Sequence, residues 1–90
     1  MRISSFEWDE ININHIAARH NVTTDEVEAA CDNRPLILKG RGGLHLVYSQ
    51  TDAGRFLLIV IRYKGRGIVQ VITARDMTER ERKLCKDRRK

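Results

Sequence analysis

The sequence predicts an α+β fold: two N-terminal helices packed on a three- to four-stranded antiparallel sheet, followed by a C-terminal helix. Three observations carry that expectation. Gly54 to Arg75, GRFLLIVIRYKGRGIVQVITAR, is two runs rich in Val, Ile and Phe around a glycine-bearing turn. Branched and aromatic side chains of that kind suit a buried pleated surface. Thr23 with Glu26, and Thr78 with Glu81, have capping-box spacing and mark helix starts on either side of the strand-rich region. Short turns join the strands to one another, so the helices are segregated from an antiparallel meander. At 90 residues the chain is expected to form one domain spanning 1–90, with room for a single small core.

Taken in order, Arg2 to Phe6 reads as a short edge strand. Asp9 is placed to cap a helix with Glu10 in its first turn, where a negative charge is favourable. Trp8, Ile11, Ile16 and Ala17 follow at helical spacing, and His20-Asn21 supplies the stop, because Asn tolerates the left-handed conformation at a helix end. Thr23 opens the second helix, with Val22 and Val27 as the staple around its cap. Val27, Ala30 and Cys31 form its apolar stripe, and it is expected to end near Asn33, before Pro35. Leu36 to Lys39 is a further short strand. The GRGG loop at Gly40 to Gly43 is basic but lacks P-loop spacing and has no helix after it. Leu44 to Gln50 alternates as a half-buried strand does, and Thr51 to Gly54 is a turn. The last helix starts near Glu79 and runs into the final residues, with Leu84 and Cys85 as its only apolar side chains.

Register can be worked out on paper. A two- or four-residue loop within Lys64 to Gly67 pairs Tyr63 with Ile68, Ile59 with Ile72 and Arg55 with Asp76. With Gln50 opposite Arg55, one face collects Leu44, Leu46, Tyr48, Leu57, Ile59, Ile61, Ile68 and Ile72 and seats the two helices. The other collects His45, Ser49, Phe56, Val60, Arg62, Val71, Thr73 and Arg75 as a half-open binding face. A bulge at Gly54 inverts the first of these strands, because a one-residue slip moves every side chain to the opposite face.

Composition narrows the function classes. The net charge of +5 hides a division: residues 1–33 hold two Arg and seven acids, whereas 34–90 hold fifteen Lys and Arg and five acids. That segregation points the second part towards a polyanion or an acidic partner. Cys31 and Cys85 are too few and too far apart for a disulfide framework or zinc spacing, and read as reduced thiols of a cytoplasmic protein. No apolar run is long enough to span a bilayer and no signal peptide is apparent, so no membrane association is expected. The three histidines lack matching acids, so no metal and no cofactor are expected. No serine sits in a nucleophile motif. The cations on the strands are then the feature to explain. Buried alone, Arg62 or Arg75 would cost several kcal/mol on the order of magnitude usual for an unpaired charge, so each needs an acid, solvent or a ligand anion. Arg55 with Asp76 is the expected internal pair.

Three segments resemble the BrnT-type toxins of bacterial type II toxin–antitoxin pairs. They are Phe6-Glu7-Trp8-Asp9 leading to His20 and Val22, Gly54-Arg55-Phe56-Leu57-Leu58 with its apolar continuation, and Val71-Ile72-Thr73-Ala74-Arg75 followed by Thr78-Glu79-Arg80-Glu81-Arg82. The last, an apolar strand ending in TAR and then T-x-R-E, is the most specific. The chain departs from the family pattern at Asn12, Ile16 and Asn21, where lysine, asparagine and glycine are usual, and in a short segment from Asn33 to Gly43. The resemblance implies a RelE-like fold, endoribonuclease activity without a metal, and neutralisation by a small antitoxin protein. It places Arg75 and Arg80 in the family signature.

Metal-free RNA cleavage needs the 2′-hydroxyl deprotonated, the phosphorane stabilised and the 5′-oxygen protonated. Arginine suits the middle task, being always charged and bidentate towards phosphate oxygens. His45 is the sheet residue whose ordinary pKa suits proton transfer near neutrality. The expected catalytic set is therefore Arg75, Arg62 and His45, with Arg41, Lys64, Arg66 and Arg80 on flanking RNA phosphates. The competing expectation is a non-catalytic basic module that binds nucleic acid or an acidic protein.

Overall fold

The computed structural model describes residues 1–88. Its elements are β1 (Ser5–Glu7), α1 (Glu10–His20), α2 (Thr24–Cys31), β2 (Leu36–Lys39), β3 (Leu44–Gln50), β4 (Phe56–Gly65), β5 (Ile68–Asp76) and α3 (Glu79–Arg88). The expected last residues of the final helix, 89 and 90, lie outside the described part. The local signals act as their chemistry dictates. Asp9 accepts from the Ile11 amide at the start of α1, and Asn21 closes it at φ 52°. Thr23 and Glu26 exchange both capping-box bonds at the start of α2, which ends at Cys31.

The sheet has five strands in the order β1-β5-β4-β3-β2, so the expectation of three or four antiparallel strands is corrected. Leu36–Lys39 joins as an outer antiparallel strand, and Ser5–Glu7 adds to β5 in parallel, making the sheet mixed. A parallel partner is possible because α1, α2 and the β2–β4 meander intervene between β1 and β5. The β1 end is fastened at the β4–β5 turn, where the Ser4 and Ser5 amides both donate to the Gly67 carbonyl at 2.7 and 3.2 Å.

Two further corrections concern register. The β4–β5 turn is the two residues Arg66–Gly67, with Gly65 opposite Ile68 and Tyr63 opposite Val69, so the pair expected between Tyr63 and Ile68 is not formed. Register shifts again between Val60 and Ile61, where Ile72 is the extra residue of a bulge on β5; Ile59 meets Ala74, not Ile72, and Leu57 meets Asp76. Asn12 of α1 donates to the Val71 carbonyl beside this bulge at 3.1 Å. At the other turn, the Thr51 amide donates to the Arg55 carbonyl at 2.9 Å, and the Arg55 amide to the Thr51 hydroxyl at 3.0 Å. Gly54 turns the corner at φ 94°. Gln50 therefore pairs with Phe56 rather than with Arg55, and that single slip inverts β3 relative to β4.

The helices α1 and α2 cover one face. Ile16, Val22, Val27, Ala30 and Cys31 pack there against Val47, Leu57, Ile59, Ile61, Val69, Val71 and Ala74. Ser49 and Val71 thus belong to the helix-covered face, while Leu44, Leu46, Tyr48 and Ile68 have left it. Within α1, Ile16 is buried but Ile11 is 78% exposed, so the expected stripe holds at one position and fails at another. The second face carries a smaller cluster of Tyr48, Leu58, Met77 and Cys85, with α3 laid over it.

Candidate functional site

Cross-strand pairing orders the second face into rows. The first runs Glu7, Gln70, Arg62, Leu44; the next Thr73, Val60, Leu46, Leu38; the third Arg75, Leu58, Tyr48, Leu36. α3 lies over the third row, since Cys85 and Leu84 pack with Tyr48 and Leu58. The first two rows are only partly covered: Arg62 is exposed, and Leu44, Leu46, Val60, Gln70 and Thr73 are half-buried. A half-open face carrying cations is present, and Arg62 and Arg75 are both on it.

They do not converge. Leu58 and Arg62 are four residues apart on β4, so the Arg75 and Arg62 rows are separated by about 13 Å at the usual rise of a strand. Each guanidinium is also turned to a different neighbour. Arg75 forms a two-pronged pair with Glu81, Nη1 to Oε1 at 2.8 Å and Nη2 to Oε2 at 2.9 Å, and Nη1 donates to the Asp76 carbonyl at 3.0 Å. Arg62 makes a long contact, 3.5 Å, from Nη1 to the Gly42 carbonyl in the β2–β3 loop.

His45 is on the other face. It pairs with Ile61, whereas Arg62 pairs with Leu44, so the β3 inversion carries the imidazole to the side covered by α1 and α2. Its Nδ1 is buried and without a hydrogen-bond partner among the described residues. The grouping of His45 with Arg62 and Arg75 is therefore corrected. The remaining cations are spread out: Arg41 is exposed in the β2–β3 loop, Arg66 is exposed at the β4–β5 turn with φ 54°, and Arg80 is exposed in the first turn of α3. Lys64 forms an ion pair with Glu7 at 3.2 Å, both side chains about half exposed.

Glu81 and Tyr48 are the residues that sequence reasoning missed. Glu81 was legible as a cap, and it does accept from the Thr78 amide at 2.8 Å. That the same carboxylate grips Arg75 depends on α3 folding back over the sheet, which no local pattern encodes. The hydrogen bonds from Arg75 hold the Glu81 carboxyl below its ordinary range, against the opposing effect of burial. Beside them, burial raises the Tyr48 hydroxyl, Glu81 adds to that rise, and Arg75 opposes it. The cysteines are inert by placement: burial pushes Cys31 up to about 12, and Cys85 is buried on the other side of the sheet. Among the described residues no three His, Cys, Asp or Glu side chains gather as a metal would need. No described helix is long and apolar enough to cross a membrane.

Arg55 is better bound than any of these. Its Nε and Nη2 donate to Asp76 at 2.8 and 3.2 Å, its Nη1 to both Glu26 carboxylate oxygens at 3.1 Å, and its Nη1 and Nη2 to the Asn21 and His20 carbonyls at 2.7 and 3.0 Å. The expected pair with Asp76 is thus real, and the side chain also caps the C-terminus of α1. It is a structural arginine.

No family model matches the sequence, and no curated protein matches it. The fold does have a solved counterpart. The chain is similar to the Brucella abortus ribonuclease toxin BrnT, with a TM-score of 0.71 over 83% of this chain and 97% of that one, at 13% sequence identity. The chain has a BrnT-like fold.

Proposed function

We propose that the chain is the toxin of a toxin–antitoxin pair, an endoribonuclease that takes RNA across the half-open sheet face and is neutralised by a small antitoxin protein. The observation that carries this reading is the likeness in fold to a ribonuclease toxin over nearly all of that toxin's length. The Arg75–Glu81–Tyr48 cluster on the same side of the sheet, beneath α3, supports it. Arg75 is assigned to the scissile phosphate: its two prongs already hold two carboxylate oxygens, and a phosphate presents the same acceptor pair. Arg62, two rows away, is assigned to a neighbouring phosphate rather than the same one. RNA entering this site displaces Glu81 from Arg75. The freed carboxylate loses the hydrogen bonds that depress its pKa and becomes a stronger base, placed to take the 2′-hydroxyl proton. Tyr48, whose burial keeps it protonated, is the nearby donor for the 5′-oxygen. His45 takes no part. The mechanism uses no metal.

The decisive measurement is cleavage of RNA by the purified protein in EDTA. Wild type and His45→Ala are expected to cut alike. Arg75→Ala is expected to lose at least a hundredfold, in line with the loss of a positioned transition-state donor. Glu81→Gln is expected to bind RNA at least as tightly as wild type while cutting far more slowly, because it frees Arg75 but removes the base. Loss of cleavage in a folded His45→Ala variant would sink this arrangement.

A second reading has its own support. Arg75 is occupied by Glu81 and His45 faces the other way, so a non-catalytic module that binds RNA or an acidic protein fits the same face. Retention of RNA without cleavage in EDTA is its signature, and binding of an acidic partner with neither is the other form of it.

A further inference from the structure

The end of the sheet away from Arg55 gathers a second set of cations. Three segments meet there: the residues leading into β1, the Arg66–Gly67 turn between β4 and β5, and the Gly40–Gly43 loop between β2 and β3. The first is tied to the second, with the Ser4 amide and hydroxyl donating to the Gly67 and Arg66 carbonyls at 2.7 and 3.2 Å. A Cβ at Gly67 would run into the Ser4 side chain and press tightly on the Arg2 carbonyl. This brings Arg2, Lys39, Arg41, Lys64 and Arg66 to one end, all exposed, with Arg62 leading from there onto the open face.

Two features argue that these cations are there to be used. The two-residue turn holds both Arg66 and Gly67 at positive φ, 54° and 77°. Such turns favour Asn-Gly or Gly-Gly, because a side chain with a Cβ is strained in that region. An arginine at the tip is kept against the conformational preference of the position, and strain of that kind marks functional sites. The second feature is availability. Among the described residues the only ion pair at this end is Lys64 with Glu7, and both side chains are about half exposed. Exposed pairs of this kind are weak and exchange readily for another anion.

We propose that this end of the sheet is a separate anchoring surface for the backbone of single-stranded RNA, distinct from the Arg75 cluster. The inference rests on the RNA-acting reading and adds where affinity, as opposed to cleavage, resides. The cations are strung across β5, β4, β3 and β2, a span of about 14 Å from three strand spacings, which suits a linear polyanion rather than a single phosphate. Tyr63 stands at the rim of this end. It pairs with Val69, so its ring leaves β4 on the helix-covered side, away from Arg62; it is 38% exposed and its hydroxyl accepts from the Gly67 amide at 2.9 Å. A base reaches that ring only where the strand turns over the edge of the sheet, which a flexible single strand can do and a duplex cannot. Arg80 and the third row lie towards the other end, so RNA that reaches both Arg75 and this surface must run along the sheet rather than across one row.

Binding of a labelled single-stranded RNA, followed by fluorescence anisotropy in EDTA over a range of salt, tests the proposal. Wild type is compared with Arg41→Ala/Lys64→Ala/Arg66→Ala, with Arg19→Ala, and with Arg66→Asn. The triple variant is expected to lose tens to about a hundredfold in affinity at 0.1 M salt, and the slope of log K against log salt is expected to fall by about 2, at roughly 0.7 per phosphate contact. Arg19→Ala, which removes an exposed cation of α1 away from this surface, keeps both affinity and slope within about threefold. Arg66→Asn, whose side chain tolerates positive φ, melts at or above the wild-type temperature yet binds several-fold more weakly; it decides the matter even if the triple variant fails to fold. A duplex of equal length binds wild type more weakly than the single strand. If wild type binds the RNA and the charge variants match it in affinity and slope, this surface is overturned while the RNA-acting reading stands. If wild type neither binds nor cuts RNA, both fall. Displacement of the RNA by polyglutamate as effective as by unlabelled RNA assigns the surface to an acidic protein and overturns the proposal.

Discussion

Arg55 and Arg75 stand near opposite-running strand ends, and each holds a carboxylate. Their surroundings set them apart. Arg55 serves two carboxylates and two helix-end carbonyls, with 24% of its side chain exposed, so removing it strands several polar groups at once. Arg55→Ala is expected to cost about 2–3 kcal/mol in urea unfolding, in the range for hydrogen bonds to partly buried charged groups. Arg75, 39% exposed and engaged with one carboxylate, is expected to contribute about 1 kcal/mol after solvent screening. A larger stability loss from Arg75→Ala than from Arg55→Ala would reverse this assignment. The same contacts fix a pH dependence. Glu26 is held below its ordinary value by the Thr23 backbone and then by Arg55, Asp76 by Arg55, and Glu81 by Arg75. Each carboxylate therefore binds a proton more readily in the unfolded chain, so stability rises with pH through this window. The contribution is complete above the ordinary value of 4.5 for the glutamates and is lost as pH falls through the lowered folded values. The melting temperature is expected to hold steady above about pH 5 and to drop below it, with a shallower acid limb in Arg55→Ala.

At the scale of elements, what was legible in the sequence is what a few neighbouring residues decide. Asp9, Asn21 and the Thr23–Glu26 box act within four residues of themselves, and the helices start and stop where those residues stand. Register is decided otherwise. The turn between β3 and β4 could have closed with Gln50 opposite Arg55; instead Arg55 is drawn out of the ladder, where it reaches α1, α2 and β5 together. No window of sequence contains that competition. The face taken by the whole of β3 turns on it, including the placement of His45. The parallel addition of β1 is equally non-local, since β5 and the turn at Gly67, more than sixty residues on, receive it. That joint gives its own prediction. Gly67 sits at φ 77° and a Cβ there would run into the Ser4 side chain, so Gly67→Ala meets both backbone strain and a collision. It is expected to destabilise by about 2 kcal/mol or more, given roughly 1–2 for a residue with a Cβ in the left-handed region. Hydrogen exchange should show β1 loosening first, and an unchanged β1 would mean that the strand is held elsewhere.

At the scale of the molecule, the sheet separates two unequal layers. The layer under α1 and α2 is a continuous apolar core, whereas α3 contributes one fully buried side chain, Cys85, and the half-buried Leu84. Beyond those two, it meets the sheet through the Arg75–Glu81 pair and through Lys86, whose Nζ lies over the Phe56 ring at 5.4 Å, and its start is fixed by its own capping box. A helix so composed has little apolar burial to hold it and should open locally, well below the free energy of global unfolding. In native-state hydrogen exchange the α3 amides are expected to show markedly lower protection than those of β4, which has strands on both sides. Arg75→Ala should speed α3 exchange about fivefold, the equivalent of about 1 kcal/mol, and leave β4 exchange governed by global unfolding. If α3 and β4 exchange with one common free energy, the helix is part of the cooperative core. Under the proposed RNA-acting reading, a phosphate would then have to displace Glu81 from Arg75 with α3 still closed over the sheet.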